Sequence, residues 1–250
     1  MLSHATILGR AHRLRQHNCQ DFAATASPAP HIAIGLVCDG CGSKFMGNGR
    51  TKPSRNETGS NLLGQFARDF LKQKLSSFAA LPCTETLEMM LANLHLATLT
   101  FLHHLTVHFP EPARRQFIAT HLLTTLVGFI RTRETAVFFW QGDGFLVADG
   151  RIQPLPSNNQ PDYLAYQLLQ PEPTINNFHI AFVPQPQTVC WLAVATDGWS
   201  TPLLEQLNEP RSALILQRWL NVQAQQRSQF DDDGAVAVWH NEEIGDRRFI

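Results

Sequence analysis

The sequence predicts an α+β fold with antiparallel sheets, and three observations carry that expectation. Two apolar, β-branched stretches near the start, HATILG (residues 4–9) and HIAIGLVC (31–38), have the composition of strands. A long helical pattern then runs through residues 58 to 105. From residue 122 onward, short apolar segments recur between turn-like residues, which is the spacing of hairpins rather than of strand–helix–strand units.

Taken in order, the glycine-rich, polar stretch from Gly40 to Asn56 predicts a long mobile loop, and residues 58 to 75 a first helix. Thr84 is placed as the N-cap of a second helix, with Leu87, Leu91, Leu94, Thr98, Leu102 and Leu105 at helical spacing. Pro110 ends that helix and Pro112 opens a short third segment. LLTTLVGFI, AVFFWQG and FLVADG, separated by RTRE and GDG, predict a meander of hairpins. Residues 150–188 hold seven of the 15 prolines and read as a loop-rich insertion with a short helix near 161–169. TVCWLAVATDG predicts a buried strand, residues 210 to 227 a helix, and DDDGAVAVWH a last strand. Strands on both sides of the insertion favour one domain over residues 1–250.

Composition excludes several function classes. The chain has 250 residues, a formal net charge of −1 and 16% charged residues. A nucleic-acid binder needs a basic stripe, whereas here only Arg10, Arg13 and Arg15 cluster. No apolar run approaches the ~18 residues of a membrane helix. Five cysteines at irregular spacing do not form a disulfide framework. The N-terminal apolar patch is too short for a signal peptide core, so a cytoplasmic setting is expected.

The informative residues are aspartates at strand edges. Asp39 follows IAIGLVC, Asp143 lies between FFWQ and FLVA, and Asp197 follows WLAVAT. Asp231, Asp232 and Asp233 precede AVAVW, and Asp21 precedes FAA. Asp-Gly is a common turn dipeptide, which accounts for any one of them. Asp39 and Asp197 depart from that account, because each ends an apolar strand where a carboxylate needs a partner. Converging carboxylates with few basic neighbours suit a hard divalent cation, and two such ions about 4 Å apart suit in-line displacement at phosphorus. Cys38 and Cys41 bracket Asp39-Gly40 as a CxxC pair. A zinc ribbon needs a second pair, and a redox pair should open a helix; neither is present in the sequence, so the chemistry is assigned to Asp39-Gly40.

Seven motifs in order resemble the metal-dependent protein phosphatases of type 2C, and more closely their short bacterial branch. They are GRAHRLRQHNCQD (9–21), VCDGCGS, Glu57-Thr58-Gly59, TTL (124–126), WQGDG, ATDGWS and DDDGAVAVW. Together they span nearly the whole chain. The resemblance implies a four-layer α-β-β-α sandwich of two antiparallel sheets flanked by helices, with a metal cluster at one end. It implies that Asp39 bridges two magnesium or manganese ions, that Gly40 offers its carbonyl, and that Asp197 and Asp232 complete the centre. Asp233 is the rival to Asp232; Asp232 is preferred because it sets Val236 and Val238 in the buried register. Asp21 holds a metal-bound water or stands behind it, and Asp143 belongs to a weaker third ion. His12, Arg13 or Arg15 supplies the basic phosphate contact. The implied reaction is direct attack of water on a phosphoserine or phosphothreonine monoester of a protein, with a serine/threonine kinase as counterpart.

The chain departs from the family pattern at Cys41, where many members carry a proton-donating histidine, and at Thr201, where many carry an aspartate. Those departures motivate an alternative, a catalytically weak phospho-binding module; a phosphatase for a small metabolite is the other alternative. His95, His103, His104 and His108 are read as surface residues rather than ligands, and the five tryptophans as core residues mostly in strands. Lys44, Arg50, Lys52 and Arg55 either line the cleft mouth or solvate a loop.

Overall fold

The computed structural model describes residues 1–42, 44–45, 51–52, 54–78, 82–157, 161–170, 177–226 and 229–242. In chain order the elements are β1 (Leu2–Ile7), α1 (Arg10–Arg15), β2 (Phe22–Ala26), β3 (Ala33–Cys38), β4 (Lys44–Phe45), β5 (Thr51–Lys52), α2 (Glu57–Ser76), α3 (Thr84–Thr106) and α4 (Glu111–Phe117). A π-helical turn, Ile118–Leu122, leads into β6 (Leu126–Arg131), β7 (Ala136–Gln141), β8 (Gly144–Ala148) and β9 (Arg151–Leu155). After a 3-10 helix, Leu164–Leu169, come β10 (His179–Phe182), β11 (Trp191–Ala195), α5 (Thr201–Glu205), α6 (Ala213–Gln223) and β12 (Gly234–His240).

Two five-stranded sheets form, ordered β1-β12-β11-β8-β9 and β10-β7-β6-β3-β2, and every pairing is antiparallel. Their inner faces enclose Val37, Phe129, Leu146, Val194 and Ala237. Helix α2 covers the outer face of β2 and β3 and packs on α3, burying Leu63, Leu71, Leu91 and Leu94. Helix α6 packs on β1, and Leu204, Leu216 and Leu220 close the other outer face. The result is the expected four-layer sandwich. Strands β3, β6 and β11 are buried along their whole length, which is why they read as continuous apolar runs rather than as alternating ones.

Several expectations are corrected. WQGDG is not a hairpin turn: β7 lies in one sheet and β8 in the other, so the segment crosses between layers. Gly142 and Gly144 take φ of +101° and +133°, which lets the chain leave one sheet and enter the next without a side-chain clash. The true Asp-Gly hairpin is Asp149-Gly150 between β8 and β9, with both residues at positive φ, as a type I′ turn demands. The stretch 150–188 is not all insertion, since β9 and β10 within it each form one edge of a sheet. Strand β2, rich in alanine, escaped the sequence reading.

Cys83, not Thr84, is the N-cap of α3; its backbone is extended and Thr84 begins the helix. His95 is fully buried rather than on the surface, with Nε2 3.2 Å from Gln141 Oε1. Of the tryptophans, Trp140, Trp191 and Trp239 lie in strands, Trp199 follows β11 and Trp219 is on α6. In the Gly40–Asn56 stretch the short pair β4–β5 replaces part of the expected loop. The side chains of Lys44 and Lys52, and all of Arg50, lie outside the described residues. Arg55 is exposed.

Candidate metal centre

Each acid is fixed by the backbone around it. Asp39 leaves the end of β3, where its N–H donates to Thr125 Oγ1 (3.0 Å) and its carbonyl accepts from Thr125 N (2.9 Å) and Thr124 Oγ1 (2.8 Å). Gly40 bridges to Thr124 and donates to the Gln20 carbonyl. A Cβ at Gly40 would stand 2.8 Å from the backbone of both Asn56 and Gln20, so only glycine fits this close approach. Asn56 locks the next turn, donating to the Cys41 carbonyl and accepting from Leu123 N.

These segments surround a cleft of about 170 Å³ lined by His12, Gln20, Gly40, Cys41, Gly42, Pro161, Tyr163 and six aspartates, Asp21, Asp39, Asp143, Asp197, Asp232 and Asp233. Among the described residues no lysine or arginine lines it. Carboxylate oxygens of Asp39, Asp143 and Asp197 lie within 4.8 Å of one another, as do ligand atoms of His12, Asp232 and Asp233. Burial lifts the Asp39 carboxyl well above the usual carboxylate range, and the charges of Asp197 and Asp143 lift it further. Asp197 is pushed up to about 6 by burial and by Asp143 and Asp232. Asp21 is also raised, by burial and then by Asp39, against the Thr196 hydroxyl that donates to it at 2.6 Å.

The residues fit a divalent cation. Asp143 is buried, its Oδ2 accepts from Ser157 Oγ (2.5 Å), and its Oδ1 is buried with no hydrogen-bond partner among the described residues. A buried carboxylate oxygen left unpartnered within a cluster of carboxylates is costly unless a cation meets it, and an all-oxygen donor set suits magnesium or manganese. Asp21 joins neither cluster of three; it stands behind Asp39, in hydrogen-bond contact with it.

The terminal acids divide by their partners. Asp233 is buried and its oxygens are occupied: Oδ1 accepts from Gly9 N (2.7 Å), and Oδ2 accepts from Gln20 N (2.6 Å) and lies 2.8 Å from His12 Nδ1. Asp232 is exposed and accepts only from Asp233 N (2.9 Å) among the described residues. The hydrogen bond to Asp233 and the charges of Asp233 and Asp232 raise the His12 pKa.

Of the three basic residues assigned to phosphate, only His12 reaches the cleft. Arg13 is exposed and turns back to donate to the Leu8 carbonyl (3.0 Å), and Arg15 does not line the site. A six-residue α1 places these side chains around its circumference, so one facing inward sends its neighbours out. Thr201 opens α5 and is absent from the lining. Sequence reasoning missed Thr196, Ser157 and Tyr163. Thr196 adjoins Asp197 and was within reach of a closer reading. Ser157 sits in the loop-rich stretch and Tyr163 in the short helix expected near 161–169, and neither carries the strand-edge acid pattern that marks the site.

A sequence model of the family described as protein phosphatase 2C matches residues 8–232. No curated protein matches the chain in sequence. Among solved structures, the chain is similar to a bacterial serine phosphatase, with 14% identity, a TM-score of 0.60, and 95% of this chain and 96% of that one covered. It is also similar to the serine/threonine phosphatase Stp1 from Staphylococcus aureus, with 14% identity, a TM-score of 0.62 and 96% and 94% covered. RsbX in complex with magnesium shares 12% identity, with a TM-score of 0.52 and 95% and 92% covered. With the family model spanning most of its length and the acids gathered at one end of the sandwich, the chain belongs to the protein phosphatase 2C family.

Proposed function

We propose that the chain hydrolyses phosphoserine and phosphothreonine monoesters of proteins at a binuclear magnesium or manganese centre. In this reading Asp39, the Gly40 carbonyl, Asp197 and Asp232 hold the two ions, Asp143 serves a weaker third, and residues 1–250 act as one catalytic domain. The orphaned, buried oxygen of Asp143 beside Asp39 and Asp197 is the observation that carries the reading. Bound ions would supply water of lowered pKa and would offset charge on the phosphoryl oxygens.

The chain's own residues do the rest. Thr124 and Thr125 fix the Asp39 backbone so that its carboxylate stays in place when charge changes around it. Asp21, held by Thr196, supports Asp39 from behind. Asp233 ties Gly9 and Gln20 to the start of β12, and so sets Asp232 beside the cleft. His12, its pKa raised by the adjoining Asp233, presents its imidazole beside the terminal acids for the substrate phosphate. A cytoplasmic setting and a serine/threonine kinase as counterpart belong to the same proposal.

Manganese-dependent hydrolysis of an aryl phosphate by the full chain, abolished in Asp39→Asn and Asp197→Asn, is the expected result. Phosphopeptide binding without metal-dependent turnover would instead favour a binding module. A panel of phosphopeptides and small phosphate esters tests the substrate class, and strong preference for the small esters would overturn the protein assignment.

A further inference from the structure

On the phosphatase reading, departure of a serine or threonine alkoxide needs a proton, and the chain offers few donors. Cys41 follows the Asp39-Gly40 turn, but its thiol is buried and donates to the Gly42 carbonyl (Sγ to O 3.6 Å). His12 is held against Asp233, on the side of the terminal acids. Tyr163 lines the same cleft at 5% exposure, its hydroxyl in hydrogen-bond contact with the Cys41 thiol; burial first, and then Cys41 and the charges of Asp39 and Asp143, raise its pKa, so the phenol keeps its proton in the resting site.

Tyr163 is also firmly placed, although it comes from the stretch between β9 and β10. Its N–H donates to the Pro161 carbonyl (3.0 Å), and its ring meets Tyr166 edge-on at 5.4 Å. The neighbouring Asp162 accepts from Gln141 Nε2 (3.2 Å), and Gln141 in turn meets the buried His95 at 3.2 Å. Gln141 is the last residue of β7, two before Asp143. One polar chain, exposed at Asp162 and buried at Gln141 and His95, therefore ties the Tyr163 segment to α3 and to the strand that delivers a cluster acid.

We infer that Tyr163 is a catalytic residue, the donor that protonates the leaving oxygen of the phosphate ester. The water oxygen bonds to phosphorus as the bond from phosphorus to the ester oxygen breaks. The phenol proton passes to that ester oxygen, giving the free alcohol. The phenolate then recovers a proton from the one released by the attacking water, so no further reactant is consumed. Cys41 positions the hydroxyl in the resting site.

The test is the leaving-group dependence of turnover in the manganese-loaded full chain. Tyr163→Phe should lower kcat by about 100-fold on a phosphoserine peptide, the lower end of general-acid effects. On p-nitrophenyl phosphate, whose phenolate departs without a proton, kcat should stay within about threefold of the wild type. The retained aryl activity shows that the variant is folded and metal-loaded. His12→Gln should show no such selectivity. An equal loss on both esters, or selectivity in His12→Gln instead, overturns the role of Tyr163. Absence of metal-dependent turnover in the wild-type chain overturns the phosphatase reading, and this inference with it.

Discussion

Replacing Asp233 by alanine tests whether the acids before β12 divide into a structural clasp and an open ligand. The side chain accepts from two backbone donors distant in sequence, Gly9 N at 2.7 Å and Gln20 N at 2.6 Å, each to a different oxygen. Both bonds are buried and charge-assisted, and an orphaned buried donor costs about 1–3 kcal/mol. Two together predict a loss of about 3–5 kcal/mol, a large share of the roughly 5–15 kcal/mol that holds a domain together. Asp233→Asn keeps one acceptor and turns an amide N–H₂ toward the other donor, so about half of that loss is expected. Asp232→Asn removes an exposed carboxylate, with a change within about 1 kcal/mol, yet it should weaken manganese binding. Urea unfolding in the presence of a chelator gives the stabilities, and calorimetric titration gives the affinities. The reasoning fails if Asp233→Ala unfolds no more easily than Asp232→Asn. It fails equally if Asp232→Asn binds manganese like the wild type.

Gly198→Ala should cost several kcal/mol in urea unfolding and abolish manganese binding, because the new Cβ would lie 1.8 Å from the Asp233 carbonyl oxygen, where neither backbone can yield cheaply. The stabilising effect of manganese should be larger at pH 8 than at pH 5.5. Asp197 is raised to about 6, so in chelated protein its contribution to stability is present at low pH and is lost as pH rises through about 6, where the bound ion takes the proton's place; thermal scans with and without manganese check this, and Asp197→Asn should flatten the difference.

Much of the fold was legible because burial on both faces writes itself as apolar runs. AIGLVC, LVGFIR and WLAVA are such runs, and each is a central strand. The edge strands β9 and β10 were not legible for the converse reason. Strand β9, RIQPL, is mostly exposed and carries a proline, and β10, HIAF, is only half-buried, so neither shows the pattern of a core strand. The passage from β7 to β8 was misread because QGDG has the composition of a hairpin turn; what decides its path is the pairing partner available to β8 in the other sheet, which is a tertiary choice. His95 was misread for a similar reason. A histidine on a helix is polar by residue type, and only the presence of Gln141 opposite makes its burial affordable.

The acids of the site were legible as a set because antiparallel pairing converts their positions along the chain into proximity. In such a pair, the residue that follows one strand lies beside the residue that precedes its partner. Phe22 pairs with Cys38, so Asp21 and Asp39 emerge together at one end of β2 and β3. Ala195 pairs with Val236, which brings the exit of β11, with Asp197, beside the approach to β12, with Asp232. One sheet thus delivers Asp21 and Asp39, and the other Asp197, Asp232 and Asp233, to the same end of the sandwich, and the crossing segment adds Asp143. A slip of two residues in either pair would preserve the inward and outward faces of the strands, yet would move one acid of that pair by about 7 Å along the strand and out of ligand range. Gly9 and Gln20 fastened to Asp233, and Thr124 and Thr125 fastened to Asp39, prevent that slip by bonds that only one register satisfies. The polar residues beside the acids therefore set the register on which the candidate metal centre depends.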